Sequence, residues 1–144
     1  MSGKERLGPV VVFGDHLDPA TRQAIAAVEE AGAAVEFRNL PRRSGLAAAL
    51  AAEAARELGA FEPMHRALLA HDGALGSEEL RGYARQAGLD PDRFEAAFGS
   101  DLAMERLRAD VAAAGTNDPP ALFLGDERLL SSEPGWLRER LARA

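Results

Sequence analysis

Apolar and polar positions follow two different periods along this chain, and the switches between them mark out its elements. Pro9 to Phe13 reads Pro-Val-Val-Val-Phe between Gly8 and Gly14, and so short a β-branched run predicts a buried strand. Asp18-Pro19 then sets a capping carboxylate before a proline at a first helical position, with Ile25 and Val28 at helical spacing ahead of Gly32. A helix is predicted from Asp18 to near Gly32. Ala34 to Leu40 alternates with period two and ends at Pro41. That is a second strand, and the short crossover implies a right-handed parallel βαβ unit.

Five helical segments fill the middle: about Gly45 to Leu58, Glu62 to Ala70, Ser77 to Ala87, Asp90-Pro91 to Phe98, and Leu102 to Ala114. Glycines at 59, 73, 88, 99 and 115 stand at or just beyond their ends, as helix stops do. After Pro119-Pro120, Ala121 to Leu124 is an apolar strand, Gly125-Asp126 a turn, and Arg128 to Leu130 a further short strand, together a β-hairpin. Trp136 to Ala142 closes the chain as an amphipathic helix with Trp136, Leu137 and Leu141 on one face. The order βαβ, helices, ββα predicts an α/β fold, one domain over residues 1–144, with a helical insertion at about 45–114.

Composition narrows the chemistry. Hydrophobic residues make up 47% and charged residues 28% of the 144, an ordinary globular balance. A net charge of −6 argues against nucleic acid and against an acidic membrane surface, both of which call for a basic footprint. The chain has no cysteine, which excludes disulfides, thiolate-held zinc, iron–sulfur clusters and a cysteine nucleophile together. Leu46 to Ala52 is the longest apolar run and is broken by Glu53, far short of the roughly 20 residues that span a bilayer. Met1 to Gly8 is polar, without an apolar signal segment, so the expected address is cytoplasmic. Lys4 is the sole lysine against many arginines and alanines, a bias that points towards a GC-rich bacterial genome and carries no functional weight.

Several segments, in this order, resemble the DsbA-like branch of the thioredoxin fold: Val11-Val12-Phe13-Gly14-Asp15, Phe37-Arg38-Asn39-Leu40-Pro41, Gly59-Ala60-Phe61 with Met64-His65, Tyr83-Ala84, Gly88-Leu89-Asp90, Arg93-Phe94 and Pro120-Ala121-Leu122-Phe123-Leu124. The resemblance covers nearly the whole chain and implies a thioredoxin core, βαβ plus ββα, split by helices. In that family a Cys-x-x-Cys motif opens the first helix. Here the window reads Asp15-His16-Leu17-Asp18-Pro19-Ala20-Thr21, so Asp18 and Thr21 stand where the resemblance places the cysteines, and only the following Pro19 is kept. Neither a carboxylate nor a hydroxyl replaces a thiolate in disulfide exchange. The resemblance also implies that Pro120 follows a cis bond in a loop, Pro119-Pro120, facing that helix start; the plain alternative is an ordinary turn.

Each candidate has a bland reading beside the chemical one. Asp18 is a simple N-cap or a carboxylate that meets a ligand, and Asp90-Pro91 repeats its local pattern where no chemistry is expected. Thr21 satisfies its own helix, or holds a glutathione thiolate as a hydroxyl does in the similar kappa-class glutathione transferases. His16, beside Asp15, is a solvated loop histidine or a proton-transfer group. Glu62 and His65 make one Glu-x-x-His pair where di-metal sites need two, and His71 is six residues further on, so no metal is expected. Gly-x-Ser-x-Gly, P-loop and Gly-x-Gly-x-x-Gly patterns are absent. The expectation is a non-enzymatic binding or scaffold domain with no catalytic residue and no cofactor. Its surface comprises His16, Asp18, Pro19, Thr21, Pro119 and Pro120, and meets a protein or peptide partner or a second copy of the chain; a glutathione-dependent enzyme is the alternative.

Overall fold

Both faces of β1 (Val10–Gly14) are apolar, and the molecule is built outward from it. In the computed structural model, which describes residues 8–143, the strand lies inside a four-stranded sheet of order β2-β1-β3-β4. The polar opening, Met1 to Leu7, and Ala144 lie outside the described residues. β2 (Val35–Asn39) runs parallel to β1, with Val12 opposite Phe37. β3 (Ala121–Leu124) runs antiparallel on the other side, with Phe13 opposite Ala121. A strand's side chains point alternately to its two faces. Val10 and Val12 therefore join the core beneath α1 (Pro19–Glu30) and α7 (Pro134–Ala142), whereas Val11 and Phe13 join a smaller cluster with Ala114, Val111 and Phe123 under α6 (Asp101–Ala114).

Between the two halves lies the helical insertion: a 3₁₀ turn (Arg43–Gly45), α2 (Leu46–Glu57), α3 (Phe61–Ala70), α4 (Ser77–Gln86), α5 (Pro91–Phe98) and α6. Its core is small-residue packing. Ala48, Ala51, Ala52, Ala54 and Ala55 of α2 are buried against Met64, Leu68, Leu80, Ala84 and Phe94. Alanine loses no side-chain entropy in a helix and lets neighbouring helices approach closely, so so alanine-rich a helix is buried on most of its surface. Four of the five helix-stop glycines, 59, 73, 88 and 115, take positive φ, whereas Gly99 ends α5 at φ −90.

Two boundaries differ from the sequence reading. β4 is Glu127–Arg128 rather than 128 to 130. The Leu129 N–H still bonds the Leu122 carbonyl, but the Leu129 side chain turns into the core and Leu130 is 89% exposed, so the ladder stops there. α7 begins at Pro134, two residues before Trp136, because the Glu133 carboxylate accepts from the Gly135 and Trp136 N–H groups and so caps the helix. Among the described residues no helix is long and apolar enough to cross a membrane.

Candidate functional site

The β1–α1 junction is where the resemblance locates chemistry. Gly14 ends β1 with the first turn of α1 directly against it: a Cβ there would overlap the Thr21 side chain. Asp15 is buried and organises the loop. Its carboxylate accepts from the Leu17 N–H at 2.8 Å and from the Arg42 N–H at 2.9 Å, and its own N–H donates to the Thr21 hydroxyl at 3.3 Å. Asp18 is the N-cap of α1. One of its carboxylate oxygens accepts from the Thr21 N–H at 3.1 Å and from the Thr21 hydroxyl at 2.9 Å. The positions matched to the two cysteines thus touch, and their polar atoms satisfy one another.

Of the six residues expected to form a surface, three reach it. Asp18 and Pro120 are half-buried and Pro19 is exposed; His16, Thr21 and Pro119 are buried. The Pro119–Pro120 bond is cis. Since Ala121 pairs with Phe13, Pro120 lies at the same end of the sheet as the Asp15–Asp18 loop. Arg42 links the two sides, donating its N–H to Asp15 and its guanidinium to Asp118 at 3.3 Å.

His16 is not the solvated loop histidine that its acidic neighbours suggest. It is 1% exposed and its Nε2 lies 3.0 Å from Nδ1 of His65, itself 3% exposed. Phe37 packs on both rings, with centroids 4.3 and 4.7 Å away, and Phe61 stacks on His65 at 5.0 Å. The His16 carbonyl accepts from Arg22 Nε at 2.7 Å, and the same guanidinium reaches the Leu68 and His71 carbonyls at the end of α3. Loss of hydration pushes the His16 pKa well below its usual value, with His65, Arg22 and Arg56 pushing the same way. Burial lowers His65 to about 4, opposed by the Glu62 charge. Both rings are neutral at pH 7. Nothing in the residues near His16 shows this pairing, which spans 49 positions. Half of it was visible: Phe61, His65 and Leu68 recur at helical spacing, which puts His65 on the apolar stripe of α3.

A second polar cluster joins β2 to α2 and α6. Glu53, which interrupts the alanine run, is 2% exposed and accepts from Asn39 Nδ2 at 2.9 Å and Arg56 Nε at 3.4 Å. The Asn39 N–H donates to Asp110 at 3.0 Å, and Arg38 lies 3.6 Å from the same carboxylate. Burial raises the pKa of both Glu53 and Asp110 from their ordinary values. Among the described residues no group of three or more histidines, aspartates or glutamates is placed to hold a metal ion.

No protein-family model matches the chain. It is 36% identical over 131 residues to the Na(+)/H(+) antiporter NhaA 1 of Salinispora arenicola, an alignment that takes in 83% of this chain and 20% of the antiporter. The chain therefore spans about a fifth of that relative's length. Among solved structures, the thiol-disulfide exchange protein alpha-DsbA2 from Wolbachia pipientis superposes with a TM-score of 0.77 at 21% identity, over 93% of this chain and 80% of that one. A thioredoxin-like oxidoreductase from Silicibacter pomeroyi superposes with a TM-score of 0.74 at 25% identity, over 95% and 88%. Superposition that extensive takes in both halves of the sheet and the helices between them. The chain therefore has the DsbA-like thioredoxin fold, and no thiol occurs anywhere in its sequence.

Proposed function

We propose that this chain is a non-catalytic binding domain that meets a protein partner through the surface around Asp18, Pro19 and Pro120. The observation that carries the reading is the β1–α1 junction. The helix start that would hold a thiolate in a redox member holds a carboxylate whose hydrogen bonds are turned inward to Thr21, and the surrounding loop is tightly organised. A binding surface at this end of the sheet needs backbone and shape, not sulfur.

The antiporter match favours a class of partner. In the Salinispora protein a segment similar to this chain is covalently part of a much longer Na(+)/H(+) antiporter. A domain joined to a protein in one chain is at high effective concentration beside it, so even a weak contact is used there. We read the partner as an ion-transporting membrane protein of that kind, joined to this domain or meeting it from a separate chain. The glutathione-dependent alternative has less support, because the Thr21 hydroxyl is buried and already donates its proton to Asp18.

A photo-crosslinking residue at exposed Ala20, with Arg85 on α4 as the control position, tests this in membranes of the native host. Crosslinking to an antiporter from position 20 and not from 85 is the expected result. Equal labelling from both positions, or retention of the chain on immobilised glutathione with displacement by free glutathione, would overturn it.

A further inference from the structure

The His16–His65 pair sits where three parts of the molecule meet: the Asp15–Asp18 loop, α3, and β2, which contributes the ring of Phe37. Among the described residues His16 Nδ1 is buried with no hydrogen-bond partner. That orphan selects the tautomers. If His65 donated, His16 would carry an N–H on Nδ1 with nothing to receive it, whereas with His16 Nε2–H donating to His65 Nδ1 the orphan is only a bare lone pair. In this closed state a further proton is costly on either ring. On His16 Nδ1 it would be a buried cation without an acceptor; on His65 Nδ1 it would break the bond between the rings.

The charges around the pair do not relieve this. Arg22 of α1 and Arg56 of α2 both oppose a proton on His16. Around His65, Glu62 of α3 and Glu29 of α1 favour a proton while Arg66 and Arg56 oppose it, but Arg66 is bonded to both glutamates. In the loop itself the Asp15 carboxylate is committed to the Leu17 and Arg42 N–H groups and Asp18 to Thr21. The pair is also coupled mechanically, since Arg22 ties the His16 carbonyl to those of Leu68 and His71.

We propose that His16 and His65 form a proton-operated latch: closed while both rings are neutral, and opened by protonation so that the Asp15–Asp18 loop and α3 part from β2 while the rest of the sheet stays folded. Hydrated histidines ionise near 6.5, so the open form takes up protons below that value and the closed form does not. The latch is therefore fully stabilising above pH 6.5 and is lost progressively as pH falls from there towards about 4, where His65 ionises in the closed form. From pH 7.5 to 5.0 the opening constant rises about thirtyfold if one ring gains a proton on opening, and by several hundredfold if both do. The device stands whether or not the neighbouring surface binds an antiporter.

Amide hydrogen exchange on the whole chain at pH 7.5 and 5.0, corrected for intrinsic rates, measures it. Exchange is expected to rise at least about thirtyfold in residues 15–22 and 61–71 while residues 121–124 stay protected. The double change His16→Leu and His65→Leu, close to histidine in volume, should flatten that response. Imidazole NMR on the unaltered chain covers the case in which the variant fails to fold. Rings that stay neutral in the closed form well below pH 6 support the latch; rings that titrate near 6.5 with the loop amides undisturbed overturn it. Simultaneous loss of protection in 121–124, or an unchanged response in a folded double variant, overturns it too.

Discussion

At the scale of single residues, the junction depends on two glycines that allow side chains to pass close to backbone. Gly14 lets Thr21 pack against the end of β1, and Gly45 sits against the Asp15 carboxylate, where a Cβ would collide with both oxygens. Those oxygens hold the Leu17 and Arg42 N–H groups, so displacing them leaves two donors to find other partners. Gly45→Ala is expected to destabilise the domain by roughly 1–3 kcal/mol, the usual cost of forcing bulk into a packed polar site. Urea unfolding measures this, and a loss below about 0.5 kcal/mol would mean that Asp15 moves away without cost.

At the scale of elements, α1 starts with Asp18 and Thr21 at the positions where the resemblance would place the two cysteines. The Asp18 and Thr21 side chains already meet, and a helix N-terminus lowers the pKa of a thiol placed there. The double change Asp18→Cys and Thr21→Cys is expected to form an internal disulfide, and its more accessible thiol to ionise below the roughly 8.5 of free cysteine. Losing the aspartate cap costs about 0.5–2 kcal/mol. Thiol titration and mass measurement decide the matter; a folded variant with two ordinary thiols would show that this window is not aligned with the redox motif. The contact between α2 and β2 has its own signature. Burial raises the Glu53 pKa in the folded state, so the folded protein holds that proton more tightly than the unfolded chain does. Stability from this group then falls as pH rises from about 4.5 through the folded value. Relative to the unaltered protein, Glu53→Gln is expected to become progressively more stable across that range, and a pH-independent difference in midpoint would refute the sign.

At the scale of the whole molecule, retention of the fold and loss of the chemistry are separable. The sheet, the two core clusters beside it and the alanine-rich insertion require no sulfur, whereas insulin reduction and disulfide isomerisation both require a thiolate. No turnover is expected in either assay. Activity that co-purifies with the chain through successive columns, with small thiols excluded, would contradict that expectation. The place of the β1–α1 junction in the sheet also makes it the place to look for function. It lies at the carboxyl end of the central parallel pair, where β1, β2 and the incoming β3 loop converge.

What the sequence determined by itself was local. Strand and helix types, the glycine stops, the Asp18 and Asp90 caps, the hairpin turn and the order βαβ, helices, ββα all follow from neighbours a few residues apart, because periodicity and capping act over one or two turns. The absence of thiol chemistry needed only a composition. Tertiary structure decided which polar groups are hidden. His16 looked solvated because Asp15 and Asp18 flank it, yet the aspartates turn to backbone N–H groups and α3, 49 residues on, covers the ring. Glu53 looked like a break in an apolar run, yet Asn39 and Arg56 meet it in the interior. Such placements depend on contacts between distant segments, and burial, not residue type, sets whether a histidine or a carboxylate is a surface charge or a neutral group inside a protein.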